Sequence, residues 1–343
     1  MLVSRARASA LAWMALAGVS SACDNRGRDQ LDVDFDIPRS EDFPALLSAY
    51  GLFEGPMGHL VPSATAVEYE LASPLFTDYS HKQRLLKLPE GTTMEVFDSF
   101  TARFPEGTVV AKTFYYPFDF ADESRGREII ETRLLVRRQG DWNVATYIWN
   151  EAQTDAALAL DGARTHVDWR TASGAERSTH YEIPSEVACV TCHQRDEAVT
   201  LIGLTPRNMN TVVVRDGVEI DQLEYLQSRA VLSGLGLEGL TSLPAYTNHS
   251  NELAIRARSY LDANCAHCHS PRAWKRAARE DLDLRYETAL PDTGIVDEPR
   301  ALRAALTSGD MPYVGTTLID DEGVSLVVDY LDTVASRGRG RAW

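Results

Sequence analysis

Two Cys-x-x-Cys-His motifs constrain this chain more than any other feature of its sequence. The first is "CVTCH", which ends at His193, and the second is "CAHCH", which ends at His269. The chain has 343 residues and five cysteines, and all but one of these cysteines belong to the motifs. A disulfide within Cys-x-x-Cys closes a very short loop and stabilises little, and it needs no histidine beside it. The motifs therefore point to a cofactor or a metal rather than to two disulfides.

Cys-x-x-Cys-His is the attachment sequence of c-type haem. The two thiols bond covalently to the haem, and the histidine that follows them ligates the iron. We therefore predict two covalent haem c groups, with His193 and His269 as the proximal iron ligands. The predicted attachment residues are Cys189, Cys192, Cys265 and Cys268.

A Met-Pro pair follows the second motif. Met311 precedes Pro312 in "TSGDMPYVG", and an amphipathic stretch, "EGVSLVVDYLDTV", comes after it. A helix, the motif, a loop, Met-Pro and a last helix occur in this order, so residues 251–336 resemble a class I cytochrome c domain. The resemblance implies Met311 as the distal ligand of the second iron. Ligation by methionine and histidine favours a high reduction potential and leaves no open position on the iron.

The distal ligand of the first haem stays open. No Met-Pro pair follows the first motif within residues 184–250, which we predict to be the first haem-binding segment. A vacant position is one possibility, and it would make this iron the reactive one. The candidate side chains are Met209, His166, His180 and His249.

The part of the chain before the motifs has the pattern of a β protein. Residues 41–183 contain runs of β-branched and aromatic residues such as "TVVAKTFYYPF" and "EIIETRLLVRR", separated by turn sequences such as "PEG" and "QGD". This spacing is typical of an antiparallel β-sandwich or jelly roll. Beyond residue 184 helical patterns replace the strands. The predicted fold class is therefore α+β and multidomain, with an N-terminal β-sandwich followed by an α-helical, cytochrome c-like haem region.

The N-terminus predicts export. Two arginines precede an apolar run from Ala8 to Val19 that is too short to span a bilayer stably, so residues 1–22 are predicted to be a signal peptide. Cys23 lies where bacterial lipoproteins carry a lipidated cysteine, although Ser20 stands where leucine is usual. Cleavage by signal peptidase after Ala22 is the alternative.

The distribution of charge along the chain indicates which classes of partner to expect. Residues 23–40 are rich in charge and poor in apolar mass, which predicts a tether, and residues 337–343 form a basic tail. The formal net charge of the chain is −16, which argues against nucleic acid as a partner. We expect a periplasmic protein, held at the membrane by a lipid anchor only, whose partners are other redox proteins.

Several longer segments carry a family resemblance. They are "ASPLFTDYSHKQRLLKLPEGT", "FPEGTVVAKTFYYP", "ETRLLVRRQGDWNVATYIWNEAQTDA", "EIPSEVACVTCHQ" and "RARSYLDANCAHCHSPR". They resemble bacterial lipoproteins that join an N-terminal β domain to a dihaem, c-type cytochrome region, and the likeness covers nearly the whole mature chain. The resemblance implies that both motifs belong to one functional unit. Met209 replaces a leucine of the family's pattern, which counts against Met209 as a ligand.

Three functions fit these observations. The first is an electron carrier between periplasmic redox partners. The second is a dihaem enzyme of the peroxidase or oxidase kind, in which the haem at His193 reacts, so the sequence does not decide whether the protein is an enzyme. The third is a protein whose four motif cysteines bind zinc, but their separation exceeds that of a zinc ribbon and both histidines would be surplus.

Overall fold

The computed structural model describes residues 43–196, 198–234, 239–273 and 282–339. The predicted signal peptide, the tether and the lipidation site at Cys23 lie outside these residues, as does the end of the basic tail. The described residues belong to one compact unit. Within these ranges, no helix combines the length and the apolar character needed to cross a bilayer.

Fifteen strands form among the described residues, and we label them β1 to β15 in chain order. The first eight are Ala66–Glu68, His81–Lys87, Met94–Val96, Ala102–Arg103, Val109–Pro117, Arg127–Arg138, Asp141–Trp149 and Ala156–Leu158. The remaining strands are Ala163–Arg170, Glu176–Ile183, Gln194–Arg195, Ala198–Val199, Val212–Arg215, Val218–Asp221 and Leu232–Gly234.

Six α-helices, α1 to α6, are also present in the described part of the chain. They are Glu186–His193, Pro206–Met209, Gln222–Ser228, Leu253–Asn264, Pro299–Ser308 and Asp321–Arg339. Short 3₁₀ helices occur at Leu47–Tyr50, Met57–His59, Glu123–Arg125 and Leu290–Asp292.

A six-stranded antiparallel sheet forms the centre of the fold, with the strand order β1-β2-β5-β6-β7-β8. Successive side chains along a strand point to opposite faces, and directly opposed residues of neighbouring strands share a face. One face is apolar and packs against the segment that precedes β1. Its central row, from β2 to β7, consists of Leu85, Ala111, Leu134 and Ala145.

The opposite face of this sheet meets the second half of the chain. At one end it is apolar, and side chains from α1, α2 and α3 pack there, among them Val190, Met209 and Leu223. Further along the same strands the face becomes polar. Helix α1, which carries the first Cys-x-x-Cys-His motif, packs against β7. The motif therefore lies beside the polar part of this face.

The β9–β10 hairpin packs near β5 and adds a third apolar cluster. Tyr116 on β5 contacts Trp169 and Tyr181, with ring centroids 5.1 Å and 6.1 Å apart. All three rings are buried. This arrangement is compatible with the N-terminal β-sandwich that the sequence pattern predicts.

The predicted α-helical, cytochrome c-like region is wrong as a statement of fold class. Between residues 184 and 250 the chain forms β11 to β15 beside its short helices, and β15 pairs in parallel with β3 of the first half. Helices α4, α5 and α6 do share one apolar core, but the described chain is mainly β. The sequence pattern failed here because strands of two to four residues are too short to show alternation, and because β15 pairs with the distant strand β3.

Candidate cofactor site

The first motif lies on helix α1. The helix begins after Ser185, whose hydroxyl accepts a hydrogen bond from the N–H of Ala188 at 3.3 Å, which satisfies one of the unpaired donors of the first turn. Val190 is fully buried in the core beneath the sheet. The apolar side of the helix therefore holds the motif against the central sheet.

The two cysteines of this motif are half-buried on α1. Because positions i and i+3 are neighbours on a helix surface, Cys189 and Cys192 present their sulfurs to the same side. Cys189 Sγ lies 4.0 Å from Thr146 Oγ1 on β7. Burial raises the pKa of Cys189 to about 11, so an unattached Cys189 is a thiol at neutral pH.

His193 is held in one tautomer by its surroundings. Its Nδ1 lies 2.7 Å from the carbonyl oxygen of Thr200, and a carbonyl only accepts, so Nδ1 carries the proton and donates it. The Thr200 N–H and hydroxyl in turn donate to the His193 carbonyl at 2.7 Å and 3.0 Å. Burial lowers the pKa of His193 to about 3, so the ring is neutral. Neutral imidazole with Nδ1–H donated to a carbonyl and Nε2 available is the form that ligates metals.

The second motif lies in the turns that follow α4 rather than inside a helix. The sequence pattern predicts one helix that the motif closes, but α4 ends at Asn264. The N–H groups of Cys268 and His269 both donate to the Cys265 carbonyl, at 3.1 Å and 2.8 Å. Burial raises the pKa of Cys265 to about 12. The backbone of this motif therefore curls into a tight turn at the end of the helix.

Hydrogen bonds hold the two motifs side by side. Arg195, just after the first motif, forms an antiparallel bridge with Ala273, just after the second. The N–H of Asp196 donates to the carbonyl of Arg272 at 3.1 Å, and the side chains of these two residues form an ion pair. Arg195 also donates to the hydroxyl of Ser270 at 3.3 Å. Two motifs that are far apart in sequence are thus neighbours in the fold.

One residue from the first motif and two from the second form a cluster of metal-ligating side chains. The ligand atoms of Cys192, His267 and Cys268 all lie within 4.8 Å of one another. The interaction between the two thiols is the largest cause that raises the pKa of Cys192 and lowers that of Cys268. The motif pattern predicts no ligand role for His267, because this residue occupies a variable position between the two cysteines.

Met311 lies in an exposed loop after α5, with 37% of its surface accessible. The loop is tied to the N-terminal half of the chain by the buried carboxylate of Asp78. That carboxylate accepts hydrogen bonds from the N–H groups of Thr317 and Leu318, at 2.7 Å and 2.8 Å. The position of the loop is therefore defined, and the role of Met311 as a distal ligand stays a prediction.

The other candidate distal ligands lie in three different environments. Met209 is completely buried in the core beneath α1. His166 and His180 face each other across β9 and β10, with their Nδ1 atoms 3.4 Å apart. His249 is exposed in a loop. Packing alone explains the position of Met209, and the distal ligand of the first haem stays open.

Four cationic side chains on the sheet face beside the first motif were not predicted from the sequence as site residues. We call them the cationic wall: Lys82, Arg84, Lys112 and Arg133. Burial is the largest cause that lowers the pKa of Lys112 to about 7, and it lowers the pKa of Lys82 as well. A partial signal for them exists, since Lys112 lies on β5 between the buried apolar residues Val110 and Phe114. Their convergence depends on the cross-strand register, which no local pattern shows.

No family model, curated protein or solved structure matches this chain. The likeness to dihaem lipoproteins seen in the sequence therefore stays an expectation. The geometry of the two motifs is the basis for any functional conclusion.

Proposed function

We propose that this protein is an exported dihaem c-type cytochrome that transfers electrons between redox proteins in the periplasm. The observation that carries the proposal is the state of His193. It directly follows two cysteines of a haem attachment sequence, and its Nδ1–H is held by the Thr200 carbonyl at 2.7 Å, which leaves Nε2 for iron. A bound haem supplies reversible one-electron exchange, and the chain supplies its attachment, orientation and surroundings.

Haem explains more of the site than a simple metal ion does. Cys192, His267 and Cys268 offer three donors, and Zn²⁺ can bind two cysteines and one histidine with its fourth position open. Such a site would leave Cys189 and His193 without a function, although His193 has the tautomer of a ligand. Attachment of two haems uses every cysteine and terminal histidine of both motifs.

The contact between the motifs supports electron transfer as the activity. Cys192 and Cys268, one attachment cysteine from each motif, are neighbours whose sulfur atoms lie within 4.8 Å of each other. Two haems bonded to neighbouring side chains would be close together, and a short distance favours electron transfer from one haem to the other. The export signal and Cys23 agree with this proposal, because c-type haem is attached outside the cytoplasm.

Haem stoichiometry tests the proposal directly. The protein would be produced together with a cytochrome c maturation system, and its haem measured by the pyridine haemochrome assay against protein from amino-acid analysis. We expect two haems per chain in the wild type and one in each of two variants, Cys189→Ala/Cys192→Ala and Cys265→Ala/Cys268→Ala. The control Cys23→Ser, which changes the cysteine outside both motifs, should retain two.

The same material distinguishes the alternatives. A wild-type protein without haem but with one equivalent of zinc by atomic absorption would overturn the proposal and favour the Cys192, His267 and Cys268 cluster as a metal site. Carbon monoxide binding to the reduced protein would show an open iron position and would favour the peroxidase-like alternative over a simple electron carrier.

A further inference from the structure

The cationic wall spans three strands, β2, β5 and β6, on one face of the central sheet. Its main row runs directly across the strands, because the registers pair Arg84 with Lys112, Lys112 with Arg133, and Arg133 with Thr146. Directly opposed side chains share a face. Two residues along each strand, the same face carries Lys82, Phe114 and Glu131.

The four wall side chains have few direct ion-pair partners among the described residues. Arg133 forms a two-pronged ion pair with Glu131, with distances of 3.0 Å and 2.5 Å. Glu131 also accepts from the Tyr181 hydroxyl at 2.6 Å. Lys82 donates to a neutral acceptor, the carbonyl of Ser80, at 2.9 Å. Arg133 is therefore the one wall cation that is ion-paired within the described residues.

The buried Nε atom of Arg84 has no hydrogen-bond partner among the described residues. The residue is 8% exposed. A buried donor without an acceptor costs free energy, and more so when it is charged. Lys82, Lys112 and Arg133 keep partial exposure, so the face is open enough to be reached by another group. An oxyanion would satisfy Arg84 and offset the mutual repulsion of the wall.

We propose that the cationic wall binds a carboxylate-bearing group that lies across β2, β5 and β6. The row begins beside the first motif, since Thr146 lies 4.0 Å from Cys189 Sγ. Neighbouring strands are about 4.8 Å apart, so the row extends roughly 14 Å from Thr146 to Arg84. Phe114 is fully buried within the wall, with Arg133 4.3 Å and Lys112 5.5 Å from its ring centre.

Two sources supply this chemistry. One is the pair of propionate carboxylates of the haem attached at Cys189 and Cys192, and this source rests on the proposed function. The other is a free small carboxylate that binds beside the haem as a substrate or effector. A group tethered at Cys189 and reaching across the sheet fits the extended shape of the row, so we assign the wall to the haem carboxylates.

Two wall variants and one control test the assignment in the haem-containing protein. The variants are Arg84→Gln and Lys112→Gln, which remove one positive charge each. The control is Arg103→Gln, whose side chain is 72% exposed and pairs with Glu95 at the surface. Potentiometric titration of both haems and calorimetric titration with succinate are carried out on all four proteins.

We expect the reduction potential of one haem to fall in both wall variants, because removal of a nearby positive charge favours the oxidised iron. The other haem and the control should keep their wild-type potentials, and succinate should not bind the wild type. A free ligand as the source would show instead as succinate binding that weakens at least about tenfold in the variants, with potentials unchanged in its absence. That outcome would overturn the assignment to haem.

Wall variants that match the control in both titrations would refute the wall as an anion site. Failure of the proposed function is a separate result, since it would show first as a wild-type protein without haem. Succinate titration of that protein would still decide whether the wall binds carboxylates. If Arg84→Gln does not fold, the half-buried Lys112→Gln variant carries the test.

Discussion

The two motifs share a sequence pattern but lie in different surroundings. The first lies on a helix packed against the sheet, with His193 hydrogen-bonded to Thr200 and the cationic wall beside it. The second lies in turns among helices, and the exposed Met311 loop belongs to the same half of the chain. If both motifs attach haem, as we propose, we expect charge and burial to tune the first haem and the side chain of Met311 to tune the second.

Removing each terminal histidine should produce the largest effects. We expect His193→Ala to abolish the proximal iron bond of the first haem while the second haem keeps its spectrum, and His269→Ala to do the reverse. The physical reason is that each ring is the proposed proximal ligand of the haem attached at its motif. Absorption and magnetic circular dichroism spectra of the reduced proteins measure this, with exposed His249→Ala as the control. Two unaltered haems in His193→Ala would refute the assignment of that ligand.

Met209→Ala should reduce the stability of the fold. Met209 is completely buried, and truncation of a buried methionine costs about 2–5 kcal/mol in the free energy of unfolding. Met94→Ala is a matched control, since Met94 is equally buried in the same core. Denaturant unfolding should give similar losses for both. A change in the haem spectrum of Met209→Ala alone would instead identify Met209 as the distal ligand of the first haem.

Met311→Ala should leave stability nearly unchanged and alter one haem. A substitution at an exposed site usually changes the free energy of unfolding by less than about 0.5 kcal/mol. Loss of a thioether ligand should lower the reduction potential of the second haem and open its sixth position to carbon monoxide. Met57→Ala, which changes a methionine packed on the opposite face of the sheet, is the control. A wild-type titration curve and no carbon monoxide binding would remove Met311 from the ligand set.

The local sequence pattern predicts the longer strands and the last helix of this molecule, but not its short strands. The runs "TVVAKTFYYPF" and "EIIETRLLVRR" correspond to β5 and β6, and the last amphipathic stretch corresponds to α6. These elements are long enough to show their period. The strands β11 to β15 are too short for this, and β15 is paired with β3, which is distant in the sequence.

The candidate site also has one part that the local sequence predicts and one part that it does not. The motif cysteines and histidines follow from their spacing alone. The contact between Cys192 and Cys268 depends on the bridge from Arg195 to Ala273, and the cationic wall depends on the register of three strands. Both features arise from pairing between segments that are far apart in the sequence. A short stretch of sequence therefore does not predict them.

The pH dependence of stability has opposite signs beside the two motifs. In the folded protein the pKa of Lys112 is about 7, whereas an unfolded lysine has a pKa of about 10.4. Between these values the unfolded chain binds one proton more, so the contribution of Lys112 to stability rises with pH. Lys112→Gln should remove this rise when the free energy of unfolding is measured from pH 6 to pH 10.

Cys265 gives the opposite slope, and only while its sulfur is unattached. Burial raises its pKa to about 12, against about 8.5 for an unfolded cysteine, so above about pH 8.5 the folded chain binds the extra proton and stability falls as pH rises. A thioether has no proton to lose. The fall should therefore appear in protein made without haem attachment, disappear in Cys265→Ala, and be missing from the haem-bound protein. A haem-bound protein that still shows a fall removable by Cys265→Ala would mean that Cys265 carries no haem.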